Sequence, residues 1–229
     1  MTIDAIILTF TKDLFYYGLT QRTIQTLRNR NKNLDFNLIV VEGNTEAHKQ
    51  GYVYNNTHTL VLAEKFNYNR FLNHGLSHCK NKYILICNND LIFHESSVEN
   101  LINHMEKYDV WSACPQEPNW HAVHFDTSEL SKEFIAGHRI MHEVTGWCIC
   151  MRNEIIRKMG SFDEQFDYYY QDNDYAMFLK TNGIDHHLVN NSTVSHELSQ
   201  SEILLDRDIH ELSAELKKKF ENKWEKYLN

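Results

Sequence analysis

The first half of the chain alternates short, continuous apolar runs with longer segments of helical composition. Residues 3–9 (IDAIILT), 37–41 (NLIVV) and 83–93 (YILICNNDLIF) are apolar at successive positions, the pattern of strands buried on both faces. Residues 20–30, 68–78 and 97–107 read as helices, the last with Ser96 as N-cap, and residues 60–62 as a short third strand. Strands separated by helices of roughly 10–15 residues imply βαβ crossovers and a mainly parallel sheet. Ligands of such sheets bind beyond the carboxyl ends of the strands. Two of those ends carry acids, Glu42 after NLIVV and Asp90 after YILICNN.

The second half is less regular. Residues 115–143 mix aromatics, histidines and charges with weak periodicity, as binding loops do. A short strand is expected at 146–151 and a helix at 154–159, stopped by Gly160. Another helix begins near Asp172 and ends before Gly183. From residue 201 onward, Leu205, Ile209, Leu212, Leu216, Phe220 and Trp224 recur at helical spacing. They form one apolar stripe, suited to covering the domain's own core or, alternatively, a partner or second copy.

Composition narrows the class. The 229 residues are enough for one substantial core, and with only two prolines and no Ser/Gly linker or repeat a single domain is expected. No run approaches the roughly 20 apolar residues that span a bilayer. The start lacks a basic leader and a small-residue cleavage site, so a cytoplasmic protein is expected. The five cysteines form no CxxC pair and read as reduced, mostly buried thiols; Cys148 and Cys150 share one face of their strand. The sequons at Asn55 and Asn191 then carry no consequence. A net charge of −8 argues against a broad nonspecific grip on nucleic acid, though not against a nucleic-acid substrate met through a small local patch, while acids gathered around a site suit a bound cation.

Three places can carry chemistry. Asp90 is either a solvated turn residue or a cation ligand held rigidly behind a buried strand. In Tyr168-Tyr169-Tyr170-Gln171-Asp172-Asn173-Asp174, Asp172 is either a helix N-cap or a general base, and Asp174 favours the positive end of the helix dipole. His196, at the end of VSH, is either structural or a ligand. The spacing of His138 and His142 would suit zinc on a helix, but no further matched ligand motif accompanies it.

The order of these stretches resembles the family 2 glycosyltransferases over most of residues 3–201. AIILTF is similar to that family's opening strand, and NLIVVEGNT to its second strand and following acid. FNYNRFLNHGLSHCKNKYILICNNDLIF resembles the asparagine-glycine helix leading into the metal-binding DxD strand. TGWCICMRNEIIRKMGSFDEQFDYYYQDNDYAMFLKTNGI resembles the Gly-strand, the Gly-x-Phe-Asp-Glu turn and the Glu-Asp-x-Asp helix start. VSHELSQS is similar to the late histidine motif.

The resemblance implies an α/β fold of GT-A type, a Rossmann-like mixed, mainly parallel sheet flanked by helices. It implies a nucleotide-binding half (1–110), an acceptor-binding and catalytic half (111–201) and a C-terminal amphipathic helix (202–229). It assigns Asp172 as catalytic base in an inverting transfer. Asp90 and His196 would hold Mn²⁺ or Mg²⁺. Thr9, Glu42, Asn73, Asn88 and Asn89 would meet a UDP-, GDP- or dTDP-linked donor, and Trp120, Gly146, Trp147 and Asp174 the acceptor. Asn88 stands where DxD has its first acid, Gln171 where Glu is common, and Ser199 where a glycine is often found.

Trp111, Trp120, His121, His124 and Phe125 suggest an acceptor wall, for a glycan first and for a modified nucleobase or protein side chain otherwise. A homodimer through the C-terminal helix is the expected assembly, if there is one. Two other classes stand beside this reading. One is a non-catalytic nucleotide-sugar or glycan-binding relative, motivated by Asn88 and Gln171. The other is a sugar nucleotidyltransferase, whose Gly-rich phosphate loop TFTKDLFYYG does not supply.

Overall fold

The computed structural model describes residues 1–197 and 209–228. Strands β1 (Thr2–Thr9), β2 (Asp35–Glu42), β3 (His58–Val61) and β4 (Tyr83–Asn88) are parallel, in the order β3-β2-β1-β4. Helices α1 (Leu14–Arg30) and α2 (Tyr68–Leu76) make the crossovers. Register aligns Thr9 with Glu42 and Leu8 with Asn88, so these strands end level along one edge.

Beyond β4 the sheet turns mixed. Strand β8 (Cys148–Arg152) runs antiparallel to β4 and is followed by β6 (Ser112–Gln116), β9 (His186–His196) and β5 (Leu91–Phe93). The stretch at 115–143, expected to be irregular, contains α4 (Pro118–His124), α5 (Thr127–Leu130) and β7 (Phe134–Ala136), which pairs with β9. The remaining helices are α3 (Ser97–Lys107), α6 (Asn153–Met159), α7 (Gln171–Thr181) and α8 (Ile209–Leu228).

Alternation along the strands splits the core into two layers. Ile3, Ile7, Val40 and Leu85 face Ile24 and Leu27 of α1 and Leu101 and Met105 of α3. Ile6, Leu8, Val41 and Ile86 face Phe71 and Leu72 of α2 and Tyr175 and Leu179 of α7. Cys148 and Cys150 fall in the first layer together, and all five cysteines are free thiols. Among the described residues no helix is long and apolar enough to cross a membrane.

Several boundaries differ from the sequence expectation for identifiable reasons. Helix α1 starts at Leu14 because Asp13 caps it, accepting from the amides of Phe15 and Tyr16; the aromatic run and Gly18 hide that first turn. Ser96 occupies the N-cap position of α3 but makes no capping bond at φ +55°. Asn31 Oδ1 does that work from α1, accepting from Val98 N at 2.7 Å. His138 and His142 lie off any helix, and each donates a ring N–H to a backbone carbonyl, Ile184 and Ile140 respectively.

The stripe on α8 covers the chain's own surface. Leu212 and Leu216 are each 1% exposed, packed with Phe166 and the tyrosines at 168–170. Leu205 lies outside the described residues.

Buried histidines make the fold acid-sensitive. His104 Nε2 meets His187 Nδ1 at 2.8 Å, and burial, then His187, lowers the His104 pKa to about 4. His186 is fully enclosed between Ser112 Oγ (2.7 Å) and the Glu143 carbonyl (2.9 Å), and burial lowers its pKa to about 3. A depressed histidine pKa means that the unfolded chain takes up the proton first. The stability is therefore whole above about pH 6.5 and lost as pH falls toward 4. Two such groups give a slope of about 2–3 kcal/mol per pH unit. Urea midpoints at pH 7 and 5.5 should separate accordingly, and coincident midpoints would refute this reading.

Candidate active site

The parallel strands deliver their ends to one edge, and the edge is closed by contacts between the two halves of the chain. Asn88 N donates to the Trp147 carbonyl at 2.9 Å, extending the β4–β8 ladder past its Cys87–Cys148 pair. Next to Trp147, Gly146 lies against Asp172: a Cβ there would sit 3.1 Å from Asp172 Oδ2 and 3.2 Å from its Cβ. Glycine is what lets the α7 carboxylate come so close to the strand end. On the other side, β5 pairs Leu91 with His196, placing the histidine beside Asp90. Asp90, His196, Asn88 and Asp172 thus converge through Gly146 and Trp147.

Asp90 is 3% exposed. Its Oδ1 lies 3.1 Å from His196 Nε2, yet has no well-aligned hydrogen bond among the described residues. Asn88 Nδ2 approaches the same imidazole nitrogen at 3.4 Å, and the Trp147 ring packs 5.0 Å from the imidazole. His196 Nδ1, Trp147 Nε1 and Gln171 Oε1 are also buried without hydrogen-bond partners among the described residues. Buried polar groups are normally satisfied, so this concentration of unmet donors and acceptors marks a place built for something else.

A carboxylate oxygen beside an imidazole nitrogen is a donor set that Mn²⁺ accepts. No group of three or more His, Cys, Asp and Glu is set to hold a metal among the described residues. These residues therefore fit a divalent ion that completes its shell with phosphate oxygens and water.

Asp172 sits in the first turn of α7, half-buried, with Oδ1 accepting from Asn173 N at 2.9 Å. It is not the N-cap; that position is Tyr170, at φ +65°. Asp172 lines a cleft with Leu72, Ile86, Ile149 and Phe162, and burial there raises its pKa above the ordinary carboxylate value. Tyr68, at the start of α2, lines the same cleft. Burial holds its phenol above its usual value, and the nearby Cys87, Asp172, Cys148 and Asp90 add to that. In the sequence Tyr68 is marked only as the start of a helix, directly after the Asn67 cap.

Glycosyl transferase family 2 matches residues 4–175, a span that runs from β1 to the first turns of α7 and stops short of β9 and α8. The chain belongs to that family. No curated protein sequence matches it. Among solved structures, it is similar to the mannosyltransferase PcManGT from Pyrobaculum calidifontis, in complex with GDP-Man and Mn2+, with a TM-score of 0.64 and 11% identity. The match covers 86% of this chain and 57% of that one, so the chain spans little more than half the length of that enzyme. At that identity the likeness concerns the GT-A type fold, whose mixed, mostly parallel sheet this member of the family has.

Other residues expected at the site of this family member have inward-facing jobs. Glu42 is 1% exposed; its Oε1 accepts from Thr11 N at 3.0 Å and Asn44 N at 2.8 Å, bracketing the loops after β1 and β2. Burial raises its pKa against those amide bonds. Tyr54 OH lies 3.3 Å from Glu42 Oε2 and 2.5 Å from Thr11 Oγ1. Thr11 Oγ1 meets Thr9 Oγ1 at 3.3 Å, and Asn89 Nδ2 donates to both Thr9 and Thr20 at 3.2 Å. This buried network runs beneath the edge from Glu42 to the residue before Asp90. Thr9 and Asn89 are members of it, and neither presents an open face.

Asn73 staples the second half to the first: it donates to the Phe162 carbonyl and accepts from Phe162 N, both at 2.9 Å. Asn67 and Asn69 donate to the carbonyls of Glu164 and Asp163 in the same turn. Asn73→Ala should thus destabilise the protein by about 1–3 kcal/mol without weakening nucleotide binding. Denaturant titration beside a binding isotherm checks this, and weakened binding at unchanged stability would restore the donor-contact reading.

The expected acceptor wall narrows. His121 is fully buried and Phe125 is 6% exposed, while Trp111 packs against the other core layer. Trp120 and His124 stay partly open, their rings 4.8 Å apart, with Trp120 Nε1 donating to the Met141 carbonyl at 2.7 Å. Trp147 is 4% exposed and backs His196. Asp174 is taken up by α8: Lys223 and Trp224 both bind its carboxylate.

Proposed function

We propose that the protein is a metal-dependent, inverting glycosyltransferase that moves a sugar from a nucleoside-diphosphate-sugar donor to an acceptor hydroxyl, releasing the nucleoside diphosphate. The observation that carries this is the convergence of the Asp90–His196 pair and Asp172 on one strand-end edge, joined by the Gly146–Asp172 and Trp147–Asn88 contacts. Family membership and the GDP-Man and Mn2+ in the PcManGT structure support the same donor class and cation.

Asp90 and His196 would hold the cation, and when bound it supplies charge neutralisation to the departing diphosphate. Asp172 accepts the proton of the attacking acceptor hydroxyl. Its apolar cleft raises its basicity. Asn88 lies against His196 and leaves the site one negative charge lighter than a two-acid motif would. Trp120 and His124 offer faces on which a glycan acceptor stacks.

A panel of nucleoside diphosphates, with and without Mn²⁺, tests the reading by thermal shift. Stabilisation by one base that needs Mn²⁺ is expected. No shift with any of them would contradict the proposal.

A further inference from the structure

The segment that carries Asp172 is gripped by a helix lying outside the family match, which ends at residue 175. Lys223 Nζ of α8 lies 2.8 Å from Asp163 Oδ2 and 2.8 Å from Asp174 Oδ1. Trp224 Nε1 donates to Asp174 Oδ1 at 2.8 Å. One ammonium therefore joins the Gly-Ser-Phe-Asp-Glu turn to the first turn of α7, with Asp174 as the handle two residues after the base.

Apolar contacts complete the grip. Phe220 packs 5.5 Å from the Tyr170 ring and 6.5 Å from Phe166, while Leu212 and Leu216 close the cluster beneath. Tyr170, at φ +65°, is in a left-handed conformation that is strained for a non-glycine residue and persists only where its surroundings impose it. Being two residues before Asp172, its backbone sets the direction in which α7 starts. Gly146 bounds the carboxylate from the opposite side.

We infer that α8 is a clamp that aims the Asp172 carboxylate, with Lys223 and Trp224 as positioning residues acting through Asp174. The inference rests on Asp172 being the base. Removing the ammonium leaves two carboxylates sharing a partly buried space with no counter-charge, and their repulsion loosens the turn. Small misplacements of a catalytic group are expensive in rate, about 10²-fold for an ångström.

The test compares the parent with Lys223→Met, Lys223→Arg and Trp224→Phe. Sugar release from a panel of UDP-, GDP- and dTDP-linked sugars in Mn²⁺ gives kcat and donor KM on the donor that turns over, and amide hydrogen exchange reports on residues 170–175. Lys223→Met should lower kcat about ten- to hundredfold with donor KM nearly unchanged, and Lys223→Arg should recover most of it. Exchange should quicken at 170–175 in Lys223→Met and Trp224→Phe, and not across the β-sheet.

If the parent releases no sugar, the functional reading fails on its own, and exchange still decides the clamp. Unchanged exchange at 170–175 overturns it. So does a fall in kcat that Lys223→Arg fails to recover and that comes with faster exchange throughout the protein.

Discussion

Asp172→Asn is expected to remove sugar transfer, by about 10²–10⁴-fold, while leaving nucleoside-diphosphate binding intact. Asparagine keeps the shape that fits against Gly146 and can still accept from Asn173 N, so the start of α7 is preserved. What it loses is the ability to take a proton. Burial raises the Asp172 pKa, so the acid limb of the parent's kcat/KM profile should lie above the ordinary carboxylate range, and the residual activity of the variant should lack that limb.

Stability gives an independent check of sign. An acid whose folded-state pKa is raised opposes folding when ionised. That penalty is complete above the folded-state pKa and vanishes below the unfolded value of about 3.9. Asp172→Asn should then melt no lower than the parent at pH 7, with any advantage shrinking as pH falls toward 4. Equal loss of binding, activity and stability would make Asp172 a structural residue.

Asp90→Ala is expected to abolish the Mn²⁺-dependent part of nucleoside-diphosphate binding and to cut transfer by at least about 10²-fold. The carboxylate is held beside His196 at 3.1 Å with an oxygen that none of the described residues satisfies well. Removing it takes away the acid that pairs with the imidazole and leaves Asn88, which is uncharged. The fold should tolerate the change, because the polar network beneath the edge is made by Asn89, Thr9 and Thr20 rather than by Asp90. Calorimetric titration of the diphosphate with and without Mn²⁺ reads this directly. Binding that keeps its full Mn²⁺ dependence in Asp90→Ala would place the cation elsewhere.

The chain announced some of this arrangement and concealed the rest. Continuous apolar runs mark strands buried between two layers, and the edge where they end follows from parallel topology. Asp90 and Asp172 stand out from local pattern and order, and the fold brings both to that edge. Orientation is not legible in the same way. Thr9, Glu42 and Asn89 stand at strand ends like Asp90, but their side chains turn into the network under the edge.

Long-range partners were invisible as well. Asn73 is bound to a turn 89 residues away, and Asp174 to α8 some 50 residues on. An asparagine or aspartate reads the same in sequence whether it meets a ligand or a distant backbone. Only the partner decides, and the partner is set by the fold.

The most direct test of the central claim is release of labelled sugar from a panel of nucleotide sugars in Mn²⁺, run on the parent and on Asp172→Asn. Turnover of at least one donor by the parent, lost on chelation and lost in Asp172→Asn while the variant still binds the corresponding diphosphate, is the predicted result. Turnover by Asp172→Asn at the parent's rate, or a parent that binds the diphosphate and turns over no donor, would contradict it.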